Sequence, residues 1–247
     1  MGTPSTFGGP MISKKNNKVV GMTIIGSPDQ PAIFQPITPL LDWIWKPRNV
    51  TFELKALAPE EAKFLADVQV PGKLATVFKA TKQTDLVTCN AFILSPTEIV
   101  TNAHCVHGAP YAFVKVNKLV KDAKTIEVTR DQISIHKDYQ VGKHEFDIAK
   151  IRLKEPLQFN DNVGSIDVAD KDYKLNDPSE VVSVYGDMLV DGSIQTRRYD
   201  TNYLDDRSCK PKNSQLFFDN HLFGTNNLCY ISGANPEPLT ISGGVEL

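Results

Sequence analysis

Short runs of β-branched and aromatic residues follow one another from Gly72 onward, with turn residues between them. Each run is typical of a β-strand, because such side chains pack well on a pleated surface. The predicted strands are residues 74–78, 91–94, 98–100, 111–114, 133–135, 148–151 and 181–184. No long stretch of helical period interrupts them. This spacing is expected of an antiparallel barrel or sandwich, so we predict an all-β fold.

Residues 1–47 form a separate unit by their pattern. Apolar runs at 10–13 and 19–25 flank a polar, turn-like stretch at 14–18. This arrangement indicates a β-hairpin with a five-residue connection. A short helix is predicted to follow near residues 39–44.

The ends of that helix and the segment after it set the domain boundaries. Thr38 is the predicted N-cap and Pro39 the first helical residue, because hydroxyl side chains and proline favour these positions. Residues 48–68 are charged and are predicted to be a linker with one or two helical turns. We therefore divide the chain into 1–47, the linker, and a main domain over 69–247.

The charge balance and hydropathy narrow the classes of partner. Lys plus Arg number 27 and Asp plus Glu 29, for a formal net charge of −2, which gives no field for holding a polyanion. The longest apolar cluster, at residues 19–25, is far below the roughly 18 residues of a transmembrane helix. We expect no nucleic-acid partner and no membrane insertion. The first residues lack the basic start and apolar core of a signal peptide, which suggests a fragment.

The four cysteines, Cys89, Cys105, Cys209 and Cys229, form no C-x-x-C pair and no zinc-finger spacing. A metal site is therefore the poorer interpretation, and two disulfides in an oxidising compartment fit better. Asn49 begins an N-x-T sequon in a polar stretch and is a candidate glycosylation site.

The segment from Cys89 to Cys105 ends in T-N-A-H-C over residues 101–105. It resembles the first-barrel hairpin of chymotrypsin-like serine proteases, which runs from a cysteine through a Ser-Pro turn to T-A-A-H-C. The resemblance implies that His104 is the catalytic histidine and that Cys89 pairs with Cys105. Such a crosslink would hold the imidazole beside its nucleophile.

Two further motifs follow in the chymotrypsin order of His, Asp and Ser. Residues 146–153 resemble the family strand N-D-I-A-L-I-K-L, with Asp147 in the triad position. Residues 241–244 resemble the nucleophile turn G-D-S-G-G-P, which makes Ser242 the candidate nucleophile. The implied mechanism has Ser242 attack, His104 act as general base and then acid, and Asp147 orient the imidazole.

The same resemblance exposes departures from the family pattern. Thr240 replaces the glycine whose N–H, with that of Ser242, forms the oxyanion hole. Ile241 replaces the aspartate before the nucleophile, and Pro236 occupies the specificity position. Phe146 replaces a common asparagine, which we take as a mild departure.

The resemblance also implies the architecture, which is two antiparallel Greek-key β-barrels with a short helix. It implies a second disulfide, between Cys209 and Cys229, in the C-terminal barrel. A cysteine that the family usually has before the nucleophile is missing together with its partner, so we expect a less braced pocket.

Residues 1–47 resemble a different part of the family, the C-terminal tail that begins at the nucleophile turn and ends in a helix. The segments that carry this resemblance are residues 7–12, 19–26, 31–34 and 41–44. Phe7 stands where this tail would have its serine. The main domain ends at Ser-Gly-Gly and lacks its own tail, so we expect residues 1–47 to complete the second barrel.

The resemblance implies a secreted or lumenal serine endopeptidase that needs no cofactor or metal. Its partners would be protein or peptide substrates, inhibitors and an activating protease. The alternative is a catalytically weak or inactive homologue that acts as a binding or regulatory module. The intact triad favours the enzyme, and the altered nucleophile loop favours the homologue.

Overall fold

The computed structural model describes residues 7–27, 30–46, 70–79, 87–116, 124–173, 181–190, 193–204, 228–232 and 237–238. These residues form two antiparallel sheets and one short α-helix. The strands are β1 Pro10–Ser13, β2 Val19–Ser27, β3 Gln30–Pro36, β4 Leu74–Lys79, β5 Val87–Ser95, β6 Glu98–Thr101, β7 Tyr111–Lys115, β8 Thr125–Thr129, β9 Ile133–Ile135, β10 Ala149–Arg152, β11 Val181–Val190, β12 Ser193–Leu204, β13 Leu228–Ser232 and β14 Glu237–Pro238. The all-β prediction is confirmed.

The first sheet holds β4 to β10 in the order β8-β7-β4-β5-β6-β10-β9. Its inner face is a cluster of fully buried aliphatic side chains, among them Val77, Ile93 and Ile151. In β7 every second residue is buried, as a strand with one face on a core requires. This sheet supplies the elements on either side of His104 and Asp147.

The second sheet has the order β11-β1-β2-β3-β13-β12-β14, and β11 also pairs with β12. That extra pairing closes a ring of six strands, so the sheet curls back on itself and leaves neither β11 nor β13 as an edge. Met11, Val20, Phe34 and Val184 are buried together in one core cluster.

The N-terminal segment, residues 7–46, contributes half of this ring. β1 pairs with β2 as the predicted hairpin and with β11 on its other side, where Ile12 lies opposite Ser183. β3 pairs with β13, where Ile33 lies opposite Cys229. The prediction that the N-terminal residues complete the second barrel is confirmed, because these pairings connect strands more than 140 residues apart.

The predicted helix forms as a 3₁₀ turn at Thr38–Leu40 that continues into α1, Leu41–Ile44. The N-cap prediction for Thr38 is wrong. Thr38 is already the first residue of the 3₁₀ turn, and Ile37 precedes it without a side-chain cap. The proline after Thr38 fixes the first turn without needing a hydroxyl acceptor.

A second core cluster lies where the N-terminal segment meets the first sheet. Ile12, Met22 and Ile44 belong to it from the segment, and Phe92 and Val100 belong to it from β5 and β6. All five are nearly inaccessible to water. The segment therefore packs against both sheets. Within the described residues, no helix is long and apolar enough to cross a membrane.

Candidate active site

His104 lies in a turn directly after β6, where the chain leaves the first sheet. A disulfide joins Cys105 to Cys89 of β5. The N–H of His107 donates to the carbonyl of Ala103, 2.8 Å away, and closes the turn. The disulfide and this hydrogen bond hold the main chain around His104 in place. About a third of the His104 side-chain surface stays exposed (32%).

Asp147 lies just before β10 and is almost fully buried. Its Oδ2 is 2.6 Å from Nδ1 of His104, and its Oδ1 accepts the backbone N–H of His104 at 2.9 Å. The amide of Asn102 donates to the backbone carbonyl of Asp147 at 2.8 Å. A carboxylate on Nδ1 keeps the proton there, which leaves Nε2 as the proton acceptor. The two residues thus form an oriented His–Asp pair.

The turn that carries Asp147 has an unusual backbone. Phe146 has φ of +54°, a left-handed conformation that bulky side chains rarely adopt. The N–H of Ile148 donates to the carbonyl of Phe146 at 2.7 Å, so Asp147 is the centre of a three-residue turn. The replacement of the common asparagine is therefore not mild. Asparagine tolerates this conformation far better than phenylalanine does.

Phe7 contacts the imidazole of His104. Its ring packs edge-on against the His104 imidazole, with 5.4 Å between the ring centroids. Its carbonyl accepts the backbone N–H of Asn90 at 2.6 Å and the side-chain amide of Asn90 at 3.4 Å. The main chain of Phe7 is therefore anchored to β5.

Gly8 explains how the chain approaches so closely. Its φ is +73°, and a Cβ at this position would lie 2.0 Å from the carbonyl oxygen of Asn90 and 2.8 Å from Oγ1 of Thr101. Only glycine fits such a gap. The Phe7–Gly8 peptide group also binds to the N-terminal segment itself, because the N–H of Gly8 donates to the carbonyl of Thr23 at 2.9 Å.

The surroundings of the pair are apolar enough to shift nearby titratable groups. Burial raises the pKa of Tyr139 to about 12, and the negative charge of Asp147 adds to the rise. Burial lowers the pKa of His144, although Asp147 acts in the opposite direction. A low-polarity environment strengthens the electrostatic interaction of a His–Asp pair.

Several predicted site residues lie outside the described residues. They are the nucleophile candidate Ser242, the oxyanion candidate Thr240, the glycosylation candidate Asn49 and Cys209. The backbone of Cys229 belongs to β13, but its side chain is not among those described. The roles of these residues and the Cys209–Cys229 pairing therefore stay predictions.

The described part of the chain contains one group of metal-ligand side chains in mutual reach, namely Cys89, His104 and Cys105. Both sulfur atoms of this group belong to the disulfide. Zinc and other soft metals bind cysteine as the thiolate, which a disulfide sulfur cannot provide. The group is better suited to hold the imidazole than to hold an ion.

The motifs identify His104 and Asp147, and the structure brings these two together. They do not identify the contacts of Phe7 with His104 or of Gln35 with Phe146. One signal for Phe7 was present, because the tail resemblance places it at the serine position. No comparable signal marks Gln35.

Comparison with known proteins gives two findings. The family model described as Trypsin matches residues 66–230. A solved structure described as GrC superposes with a TM-score of 0.54 at 16% sequence identity, and the match covers 68% of this chain and 74% of that one. The structural match supports the fold, and the family match covers well over half of the chain. The chain therefore belongs to the trypsin, or chymotrypsin-like, family of serine proteases.

Proposed function

We propose that this chain is a non-catalytic serine protease homologue that acts as a binding or regulatory module for proteins or peptides. The observation that carries the proposal is the contact of the Phe7 ring with the His104 imidazole. Membership of a protease family suggests proteolysis, and the contact of Phe7 with the base supports the non-catalytic alternative within that family.

Nucleophilic attack needs a hydroxyl group within about 2.6–3.2 Å of the imidazole nitrogen that accepts its proton. Among the described residues, the His104 side chain contacts Asp147, Cys105 and the Phe7 ring. The Cys105 contact joins its Sγ to Nε2 of His104 at 3.5 Å. None of these contacts offers a hydroxyl group to Nε2. A phenyl ring has no acidic proton to give, so none of the contacts among the described residues gives the base a group to activate.

The position of Phe7 is fixed by more than its ring. The two hydrogen bonds from Asn90 and the glycine-only gap at Gly8 anchor the main chain at Phe7 and Gly8. Turning the ring away from the imidazole would leave these main-chain contacts intact but would take the ring off the first-sheet core, against which Phe7 packs. This supports a stable block rather than a passing contact.

The partner class follows from the family, whose members act on proteins. A homologue that keeps the fold would keep a surface for protein or peptide segments, including inhibitors or an activating protease. We also propose a location outside the cell or in the secretory lumen, supported by the Cys89–Cys105 disulfide.

The second candidate is a serine endopeptidase that uses Ser242, with the N–H groups of Thr240 and Ser242 as oxyanion donors. The oriented His104–Asp147 pair favours it, because a buried carboxylate on Nδ1 is the arrangement that general-base catalysis needs. For this function the Phe7 ring would have to leave the imidazole.

A serine-directed organophosphonate separates the two candidates. We compare wild type, Ser242→Ala and Phe7→Ser, and map labelled residues by mass spectrometry over hours. We expect wild type and Ser242→Ala to give the same blank, and Phe7→Ser to label slowly at residue 7 in a reaction that His104→Ala abolishes. Labelling will be slow because loss of one oxyanion donor alone costs about 100- to 1,000-fold in rate.

Phe159→Ser is the matched control, since Phe159 is also a partly buried ring on the first-sheet core. It should give no label at residue 159. Labelling of wild type that disappears in Ser242→Ala would overturn the proposal and establish the endopeptidase.

A further inference from the structure

We propose that Gln35, in β3 of the N-terminal segment, is a positioning residue for Asp147. It acts through Phe146, whose N–H donates to the Oε1 of Gln35 at 3.1 Å. The inference rests on the proposed function only in taking the His104–Asp147 pair as the functional site.

The direction of the Asp147 carboxylate depends on the conformation of the turn that carries it. The left-handed backbone of Phe146 and the bond from the Ile148 N–H to the Phe146 carbonyl place Asp147 at the turn's centre. The direction of the Asp147 side chain depends on these dihedral angles. If Phe146 relaxed to negative φ, the carboxylate would no longer meet Nδ1 and the backbone N–H of His104 together.

Gln35 and His136 both contact Phe146 and hold it in this unfavourable conformation. Gln35 is buried, with 1% of its surface exposed, so its amide oxygen is a fixed acceptor without competing water. Its Nε2 donates to the carbonyl of Pro36 at 3.3 Å, which orients Oε1 toward Phe146. On the other side, the ring of Phe146 stacks on His136, with centroids 4.8 Å apart and planes 11° apart.

Removing the Gln35 amide would destabilise this turn conformation. An apolar side chain there would leave the Phe146 N–H buried without its acceptor, and a buried unpaired donor destabilises the conformation that creates it. Phe146 would then turn back to the conformation that its side chain prefers. The N-terminal segment would therefore do two things at the site, since Gln35 assembles the pair and Phe7 covers it.

The test measures the pair itself in the full chain. The proton on Nδ1 of His104 gives a low-field NMR signal when a carboxylate holds it, and Asp147→Asn assigns that signal. We expect Gln35→Leu to raise the exchange rate of this proton with water at least tenfold. The same substitution in a Phe146→Gly background should change the rate less than threefold, because glycine adopts the left-handed conformation without help.

This double-mutant cycle separates positioning from general structural damage. A merely structural Gln35 would raise exchange equally in both backgrounds, and that result would overturn the proposal, as would an unchanged rate in Gln35→Leu. Gln132→Leu is the matched control, because Gln132 is also buried and its amide donates to the Arg152 carbonyl at 2.7 Å. It should leave the signal unchanged.

Gln35→Asn, whose amide is shorter by one methylene group, replaces Gln35→Leu in the cycle if the latter does not fold. The result is independent of the labelling experiment. Phosphonate labelling of wild type at Ser242 would overturn the proposed function and leave the role of Gln35 standing. An unchanged exchange rate of the His104 Nδ1 proton in Gln35→Leu would overturn the role of Gln35 and leave the proposed function standing.

Discussion

Gly8 allows the N-terminal segment to approach the first sheet closely. Its left-handed backbone and the 2.0 Å gap between an added Cβ and the Asn90 oxygen are two separate demands for glycine. Gly108 has the same φ of +73°, but an added Cβ there would meet nothing within 4 Å. Comparing alanine substitutions at the two glycines therefore separates the free-energy cost of a left-handed backbone from that of the steric clash.

We predict that Gly8→Ala lowers the free energy of unfolding by more than Gly108→Ala does. Gly108→Ala should cost about 1–2 kcal/mol for a left-handed alanine. Gly8→Ala should add at least about 1–3 kcal/mol from the steric clash. Urea titrations of both variants give the difference, and equal losses would contradict the seating of Phe7 against Asn90.

His136 is a buried histidine that connects α1 to the turn before Asp147. Its ring contacts the rings of Trp43, at 5.2 Å, and Phe146, at 4.8 Å between centroids. Its Nδ1 accepts the N–H of Asp138 at 3.3 Å, so the neutral ring is the bonded form. Burial lowers the pKa of His136, the Asp138 carboxylate partly opposes this, and Lys137 lowers the pKa further.

Because its folded-state pKa lies below the unfolded value near 6.5, His136 makes the unfolded state bind more protons in that range. Stability is full above about pH 6.5 and falls as the pH drops below it. We predict that His136→Phe, which keeps the ring, reduces the loss of unfolding free energy between pH 7.5 and 5.5. His144 has a shift of the same sign, so part of the loss remains.

Urea titrations at the two pH values measure this loss. His107→Gln, at an exposed histidine, should leave it unchanged. A loss in His136→Phe as large as in wild type would show that His136 does not contribute.

At the scale of elements, α1 is held by a buried lysine. Lys150 of β10 donates to the carbonyls of Ile44 at 2.7 Å and Lys46 at 3.3 Å, and its ammonium lies 5.2 Å from the ring centroid of Trp43. A cation at the C-terminal end of a helix satisfies carbonyls that have no partner within the helix. Helix α1 is thus fixed to the first sheet at its end.

We predict that Lys150→Met lowers the free energy of unfolding by about 1–3 kcal/mol, because it leaves the buried Ile44 carbonyl without its donor. Lys171→Met is the control, since Lys171 binds the same helix through Asp42 at the surface. Exposed ion pairs contribute only about 0–1 kcal/mol. Thermal and urea unfolding measure both, and a Lys171 effect as large as that of Lys150 would contradict the role of the buried cap.

The sequence predicts some elements well and misses others for a physical reason. The hairpin of β1 and β2 is apolar on both strands and is confirmed, since both strands are buried in the ring. β8, at Thr125–Thr129, was missed. In the described part of the chain it pairs with β7 and buries one residue in five, and its alternating sequence T-I-E-V-T is a strand pattern that the prediction overlooked. β12 was also missed, because its residues are mostly polar.

The whole molecule is organised by the ring of the second sheet, in which β1, β2 and β3 are three of six strands. Two ion pairs, Lys14–Asp200 and Lys18–Asp170, also join the segment to the main domain. Without the segment, β11 and β13 each lose a neighbour and the apolar face that meets Ile44 and Met22 is exposed.

We predict that deleting residues 1–47 abolishes cooperative unfolding of residues 48–247. Broken strand pairing and the exposed apolar face leave no closed second core. Differential scanning calorimetry compares this deletion with removal of residues 1–6 alone, which leaves β1, β2 and β3 in place. A transition as sharp and as high as that of the full chain would contradict the ring.

The site itself could be predicted only in part. His104 and Asp147 lie in motifs whose local sequence identifies them. The Phe7–His104 contact joins residues 97 positions apart and forms where the N-terminal segment closes the ring, and the tail resemblance predicts that closure but not the contact. The left-handed Phe146 was equally hidden, since its conformation depends on Gln35 from β3.

The contact of Phe7 with His104 is the central claim, and a nuclear Overhauser effect between the two rings tests it most directly. In the full, disulfide-intact chain we predict an NOE from the Phe7 ring protons to the Cε1 proton of His104, which disappears in Phe7→Leu. The Phe146–His136 stack serves as the internal reference, because its rings are at a similar distance. A folded sample that shows the reference NOE but none between Phe7 and His104 would contradict the account.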